Sequence, residues 1–183
     1  YRILQTTMKC FSADGTTQGH LTATQELVRK HGLKAADVER VKLRASTRCA
    51  EHTGDPVKRY PTNKETADHS SYYLTAMVLM EGGVGPAQFT EAKYRDPKVK
   101  ELIDRVTIEG DPELDHLMTG GMSEITTKQG KKYSTRVDYP RGHYRNAMTD
   151  EEIEDKLRTL ASRHMSEAQI QKLIGAVYDL DKA

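Results

Sequence analysis

Cysteine is scarce in this chain: Cys10 and Cys49 are the only two. They are too few and too isolated for an iron–sulfur cluster, a structural zinc site or a disulfide framework, so reduced thiols in a cytoplasmic setting are expected. Long hydrophobic runs are missing as well. Without a membrane-length apolar stretch, a signal peptide or a lipidation motif, the expectation is a soluble protein with no membrane partner. Nor is there a surplus of positive charge, since 28 Lys and Arg nearly balance 27 Asp and Glu. A nucleic-acid partner normally requires such a surplus and is not expected. The phosphate signatures GxxxxGK[ST] and GxGxxG are absent, so neither a nucleoside triphosphate nor a dinucleotide is indicated.

What is present is 183 residues, enough for one domain or two small ones with a real core. The first residue is Tyr1 and YRILQTTMK reads at once as extended and apolar, which suggests a fragment of something longer. The stretch MKCFSADGTTQGH then leads into LTATQELVRKHG, a helix whose apolar face is Leu21, Thr24, Leu27 and Val28 and whose end is Gly32. Ser, Thr, Asp and Gly in that stretch can serve as caps and turns only. They can also leave a helix N-terminus open to a carboxylate, with Lys9 adding a full charge.

Further along, VERVKLRAS alternates Val41, Leu43 and Ala45 with charged residues, the period of a half-buried strand. The segment TRCAEHTGDPVKRYPTNKE reads as irregular, and TADHSSYYLTAMVLMEGG as a buried helix closed by Gly82. Asp96 before Pro97 starts a helix with the stripe Val99, Leu102, Ile103 and Val106. Strands follow at TIE and within SEITTKQGKKYSTRVDYP, where Gln129-Gly130 makes a hairpin turn. Two capping boxes, Thr149 with Glu152 and Ser166 with Gln169, open a terminal helical hairpin. The fold class is α+β, with a change of character near residue 143.

Four segments together carry a resemblance: Lys9 to Asp14, TRCAEHTGDP, YPTNKETADHSSYY and VDYPRGHYRNAMTDEEI. In order and spacing they are similar to the C-terminal part of the MmgE/PrpD family, which includes 2-methylcitrate dehydratase, cis-aconitate decarboxylase and iminodisuccinate epimerase. The resemblance implies an α/β lid domain of chorismate-mutase-like topology over residues 1–142, and terminal helices over 143–183 that pack on an all-helical domain absent from this chain. It implies a lyase that needs no cofactor and no metal, acts on a small di- or tricarboxylic acid by methylcitrate-like dehydration, and forms a homo-oligomer. The N-terminal helical half would then be a partner of this chain.

The same resemblance places Lys9 in the interdomain cleft as the catalytic cation, meeting a substrate carboxylate or enediolate charge. Substrate contacts are expected from Ser12, Asp14, Thr16, His20, Arg48 and His69. Ser12 stands where many relatives have proline, and His20 is the candidate replacement for a histidine that some relatives carry close to the position of Asp14. Arg48 is chosen over Glu51 and His52 because a guanidinium pairs carboxylates bidentately. Asp68 and His69 can equally be a first-turn acid and a histidine satisfied by nearby backbone. Tyr72, Tyr73, Met77 and Met80 read as core packing. A separate subunit awaiting a helical partner, a decarboxylase or epimerase of the same family, and a non-catalytic carboxylate-binding module are the other readings.

Overall fold

The computed structural model describes residues 1–182; Ala183, the last residue of the expected terminal segment, lies outside them. Its framework is a mixed four-stranded sheet in the order β2-β1-β3-β4. Strand β1 (Val38–Ala45) runs parallel to β2 (Val106–Gly110) and antiparallel to β3 (Gly121–Thr127), which pairs antiparallel with β4 (Lys132–Val137). The alternation read in β1 sends Val41, Leu43 and Ala45 inward. Lys42 and Arg44 face outward, where they meet Glu109 at 2.8 Å and Asp111 at 3.2 Å. One face is thus apolar and the other charged, as in a sheet covered on one side.

Helices α1 (Gln18–His31) and α4 (Ser71–Glu81) form much of that cover, and each ends on a left-handed glycine, Gly32 and Gly82. From Ser71 to Leu79 every residue of α4 is buried, because α1, α6 (Pro97–Asp104) and β2 surround it. A helix enclosed this way has no polar face to show. Tyr72, Tyr73 and Met77 belong to the core as expected. Leu21, Leu43, Ile103 and Ile125 join them at 2 % exposure or less.

Several expectations need correction. The opening residues do not extend as a strand: Arg2–Gln5 form a single 3-10 turn, with Ile3 and Leu4 exposed because nothing in the chain covers them. The segment read as irregular contains α2 (Thr47–Thr53), capped by the Ser46 side chain, and the short α3 (Lys64–Ala67), capped by Asn63. Asp68 and His69 lie in the link between α3 and α4, since Ser70 is the residue that caps α4. Val106 leaves the helical stripe and opens β2, where it pairs with Val41. Helix α5 (Glu91–Arg95) precedes α6, whose Asp96 side chain accepts from Lys98 N as the Asp-Pro start predicts.

The terminal hairpin is as read. Helix α7 (Asp150–Ala161) and helix α8 (Glu167–Tyr178) both open with complete capping boxes. Ile170 and Ile174 are buried, while Leu160, Leu173 and Val177 stay 40 % exposed or more.

Candidate functional site

The stretch from Met8 to Asp14 is threaded through three separate parts of the chain. Met8 N donates to Gly142 O at 2.8 Å, Ser12 N to Val84 O at 3.0 Å and Asp14 N to Asp68 O at 2.9 Å. Gly142, at φ 90°, permits the first contact, since a Cβ there would stand 2.0 Å from Met8 O. The Gln18 amide closes the loop from inside, accepting from Phe11 N at 3.0 Å and donating to Asp14 O at 3.2 Å. Main-chain contacts, closed by the Gln18 amide, therefore fix where Lys9 and Asp14 stand.

These contacts bring Lys9, Ser12, Asp14 and His69 together along one cleft of about 430 Å³, beneath Leu160 of α7 and beside Pro86 and Phe89. Lys9 Nζ donates to Ala13 O at 2.9 Å. His69 Nδ1 lies 2.5 Å from Asp68 Oδ1 and 3.0 Å from Glu65 O. Both partners can only accept, so Nδ1 carries the proton. In the neutral ring Nε2 is then left with its lone pair, 3.8 Å from Asp14 Oδ2. Lys64 holds the other oxygen of Asp68 at 2.7 Å, which completes a Lys64–Asp68–His69 chain. The arrangement offers a proton acceptor at Nε2 and a lysine ammonium in the same cleft.

Asp14 does more than line the cleft. Burial opposes its ionisation, but hydrogen bonds from the Thr16 hydroxyl and backbone N–H outweigh that, and with His69 and His52 nearby its pKa falls below the ordinary value. Its carboxylate caps the 3-10 turn Gly15–Thr17 that leads into α1. The expected open receptor at this helix start is therefore already filled, by a carboxylate of the chain itself. Thr17, Gln18, Gly19 and His20 behind it are all buried.

His20, expected to contact substrate, is enclosed with no exposed surface. Its Nε2 lies 3.2 Å from Ser71 Oγ, which in turn lies 2.7 Å from Thr53 Oγ1. Burial lowers its pKa to about 4, against a smaller opposing pull from Asp14, so the ring is a neutral core group. Thr16 and Arg48 are brought together in a neighbouring concavity with Glu51 and Asp115, apart from the cleft that holds Lys9. Arg48 shares that concavity with two carboxylates and forms no ion pair with them, and Asp115 is held by Thr47.

Two lysines of the cleft were not anticipated from the sequence. Lys64 carries a local signal, its i,i+4 spacing to Asp68. Lys156 carries none, because on α7 it is one charged residue among several on a polar face; its ammonium donates to Lys9 O. Asp14, His52 and His69 also each offer a ligand atom within 4.8 Å of the others. Against a cation there, Lys58 Nζ stands 3.5 Å from His52 Nδ1.

With this geometry in place, comparison with known proteins decides the family. Residues 11–180 match the MmgE/PrpD C-terminal domain. The chain belongs to the MmgE/PrpD family. Within it, the chain is 30 % identical over 126 residues to the cis-aconitate decarboxylase of Homo sapiens, covering 67 % of this chain and 26 % of that protein. It is 28 % identical over 163 residues to the cis-aconitate decarboxylase of Mus musculus, covering 84 % and 32 %. A 2-methylcitrate dehydratase-like protein of Aspergillus oryzae is 27 % identical over 183 residues, covering 88 % and 36 %. The match to each MmgE/PrpD relative thus spans only about a quarter to a third of that relative's length.

Proposed function

We propose that this chain is the C-terminal part of a lyase acting on a small di- or tricarboxylic acid, with Lys9 as its catalytic cation. The observation that carries the reading is the convergence of Lys9 and the Asp68-held His69 on one cleft in a chain of this family. Removing a proton or a carboxylate beside a retained carboxylate puts negative charge on an enediolate-like group. An ammonium fixed at the cleft meets that charge as it grows. The His69 Nε2 lone pair supplies a place to receive or return a proton within the same cleft.

Dehydration of a methylcitrate-like acid is the reaction we propose first, and it has support in the name of the Aspergillus oryzae relative. Decarboxylation of a cis-aconitate-like acid is the second reading, favoured by the human and mouse relatives. Both use the same cation. We read residues 1–142 as a lid of chorismate-mutase-like topology and 143–183 as helices that pack on a helical N-terminal half; the mixed sheet and the partly exposed hairpin support that division.

The test joins this chain to an N-terminal helical half and follows 2-methylcitrate and cis-aconitate by absorbance of the unsaturated acid. The joined protein should turn over one of them, and the 183-residue chain alone should not. Lys9→Ala should lower turnover by about 100-fold or more, the scale of losing one transition-state charge partner, with the fold unchanged. Full turnover by a folded Lys9→Ala protein would remove Lys9 from the mechanism.

A further inference from the structure

We propose that Lys156 of α7 is a substrate-binding, specificity-determining residue that clamps a second carboxylate opposite Lys9, so that the cleft selects acids by how many carboxylates they carry. The inference rests on the polycarboxylate reading above and deepens it.

A charge inventory of the cleft leads there. Three ammonium groups line it, Lys9, Lys64 and Lys156, against two carboxylates, Asp14 and Asp68. Lys64 is committed to Asp68 at 2.7 Å. Asp14 is committed to the Thr16 N–H and to the 3-10 turn that it caps. Among the described residues, neither Lys9 nor Lys156 makes an ion pair with a carboxylate. Each instead spends one N–H on a main-chain carbonyl, Lys9 on Ala13 O and Lys156 on Lys9 O. An ammonium has three donors, so each keeps two for a ligand. Asp14 leaves the cleft with one net positive charge, and its two ammonium groups without a carboxylate partner, held by backbone contacts and linked through the Lys9 carbonyl, keep donors and surplus charge for an anion.

The two come from different parts of the chain. Lys9 belongs to the stretch pinned to Val84, Asp68 and Gly142, whereas Lys156 arrives on the terminal hairpin. A ligand with one carboxylate can satisfy either. A ligand with two or three can bridge both and so draw the hairpin against the α+β unit. Leu160, one helical turn beyond Lys156, and Phe89 give the carbon skeleton an apolar wall.

Backbone amide shifts of the isotope-labelled chain, titrated with citrate and with the monocarboxylate butyrate, test this. The wild-type chain should prefer citrate. In Lys156→Gln the ratio of citrate to butyrate affinity should fall by about ten-fold, the scale of one charge-assisted hydrogen bond. Lys156→Arg, which keeps a charged donor for Lys9 O, should restore it. If Lys156 served only to tether α7, both acids would weaken together and the ratio would stay, which overturns the proposal. A chain that binds neither acid overturns the polycarboxylate reading and the clamp with it, whereas wild-type binding with an unchanged ratio in a folded Lys156→Gln overturns the clamp alone. If the Gln substitution disorders the hairpin, Lys156→Arg decides: citrate preference at the wild-type level supports the clamp, and its loss despite the retained charge overturns it.

Discussion

His20 shows how burial decides what a titratable side chain can do. In water its ring would change charge near pH 6.5, but enclosed beside Ser71 its pKa is about 4. Between those values the unfolded chain binds a proton that the folded chain refuses, so stability falls as pH drops through this window and levels off below about 4. The shift corresponds to roughly 3 kcal/mol as a ceiling. Asp14 acts in the same direction at lower pH, because its lowered pKa stabilises the fold until the carboxylate protonates. Urea unfolding at pH 7 and at pH 4.5 should therefore show a loss of stability that shrinks markedly in His20→Asn. An equal loss in wild type and variant would mean that other groups carry the pH dependence.

Helix α1 is positioned by a contact that tolerates no side chain. A Cβ on Gly19 would lie 2.3 Å from Thr119 O and 2.6 Å from Gly121 N, so the first turn of the helix presses directly on the entry to β3. Backbone cannot retreat there as a flexible side chain could. Gly19→Ala should therefore destabilise the chain by about 2 kcal/mol or more, despite the better helix propensity of alanine, and should disturb the Asp14 cap immediately before it. Thermal unfolding gives the magnitude, and amide shifts at Thr16 and Asp14 report the cap. A neutral or stabilising substitution would show that α1 can shift along the sheet, and with it the geometry of the cleft.

Taken as a whole, the molecule leaves the surface of the terminal hairpin unfinished. Ile153, Leu160, Leu173, Val177 and Tyr178 on the hairpin are between 36 % and 56 % exposed. The two helices bury Ile170 and Ile174, and only a few side chains of α7 reach the α+β unit. Apolar residues in such a contiguous group are uncommon on a monomer. At tens of micromolar the isolated chain should associate, read as a concentration-dependent sedimentation coefficient. Leu173→Glu with Val177→Glu should return it to the monomer without melting the core. A wild-type chain that stays monomeric throughout would show that the hairpin needs no cover.

The features legible in advance share one property: their chemistry is local. Two capping boxes, Asp96-Pro97, the Gly130 turn and the left-handed Gly32 and Gly82 each act within a few residues, and each stands where the pattern put it. The β1 alternation and the buried α4 were equally readable, because burial of a regular element leaves a period or removes it. Segment 47–65 shows no legible period, since α2 and α3 are too short to display one and exist through side-chain caps, with α2 also packed on β2. The candidate site divides along the same line. Residue type could nominate Lys9, Asp14 and His69, but their meeting depends on contacts to Val84, Asp68 and Gly142. Whether His20 faces solvent or core, and whether Lys156 reaches the cleft at all, was decided by packing between residues more than fifty positions apart. Short-range hydrogen bonding writes its partners into adjacent letters; long-range packing spreads its conditions over the whole chain.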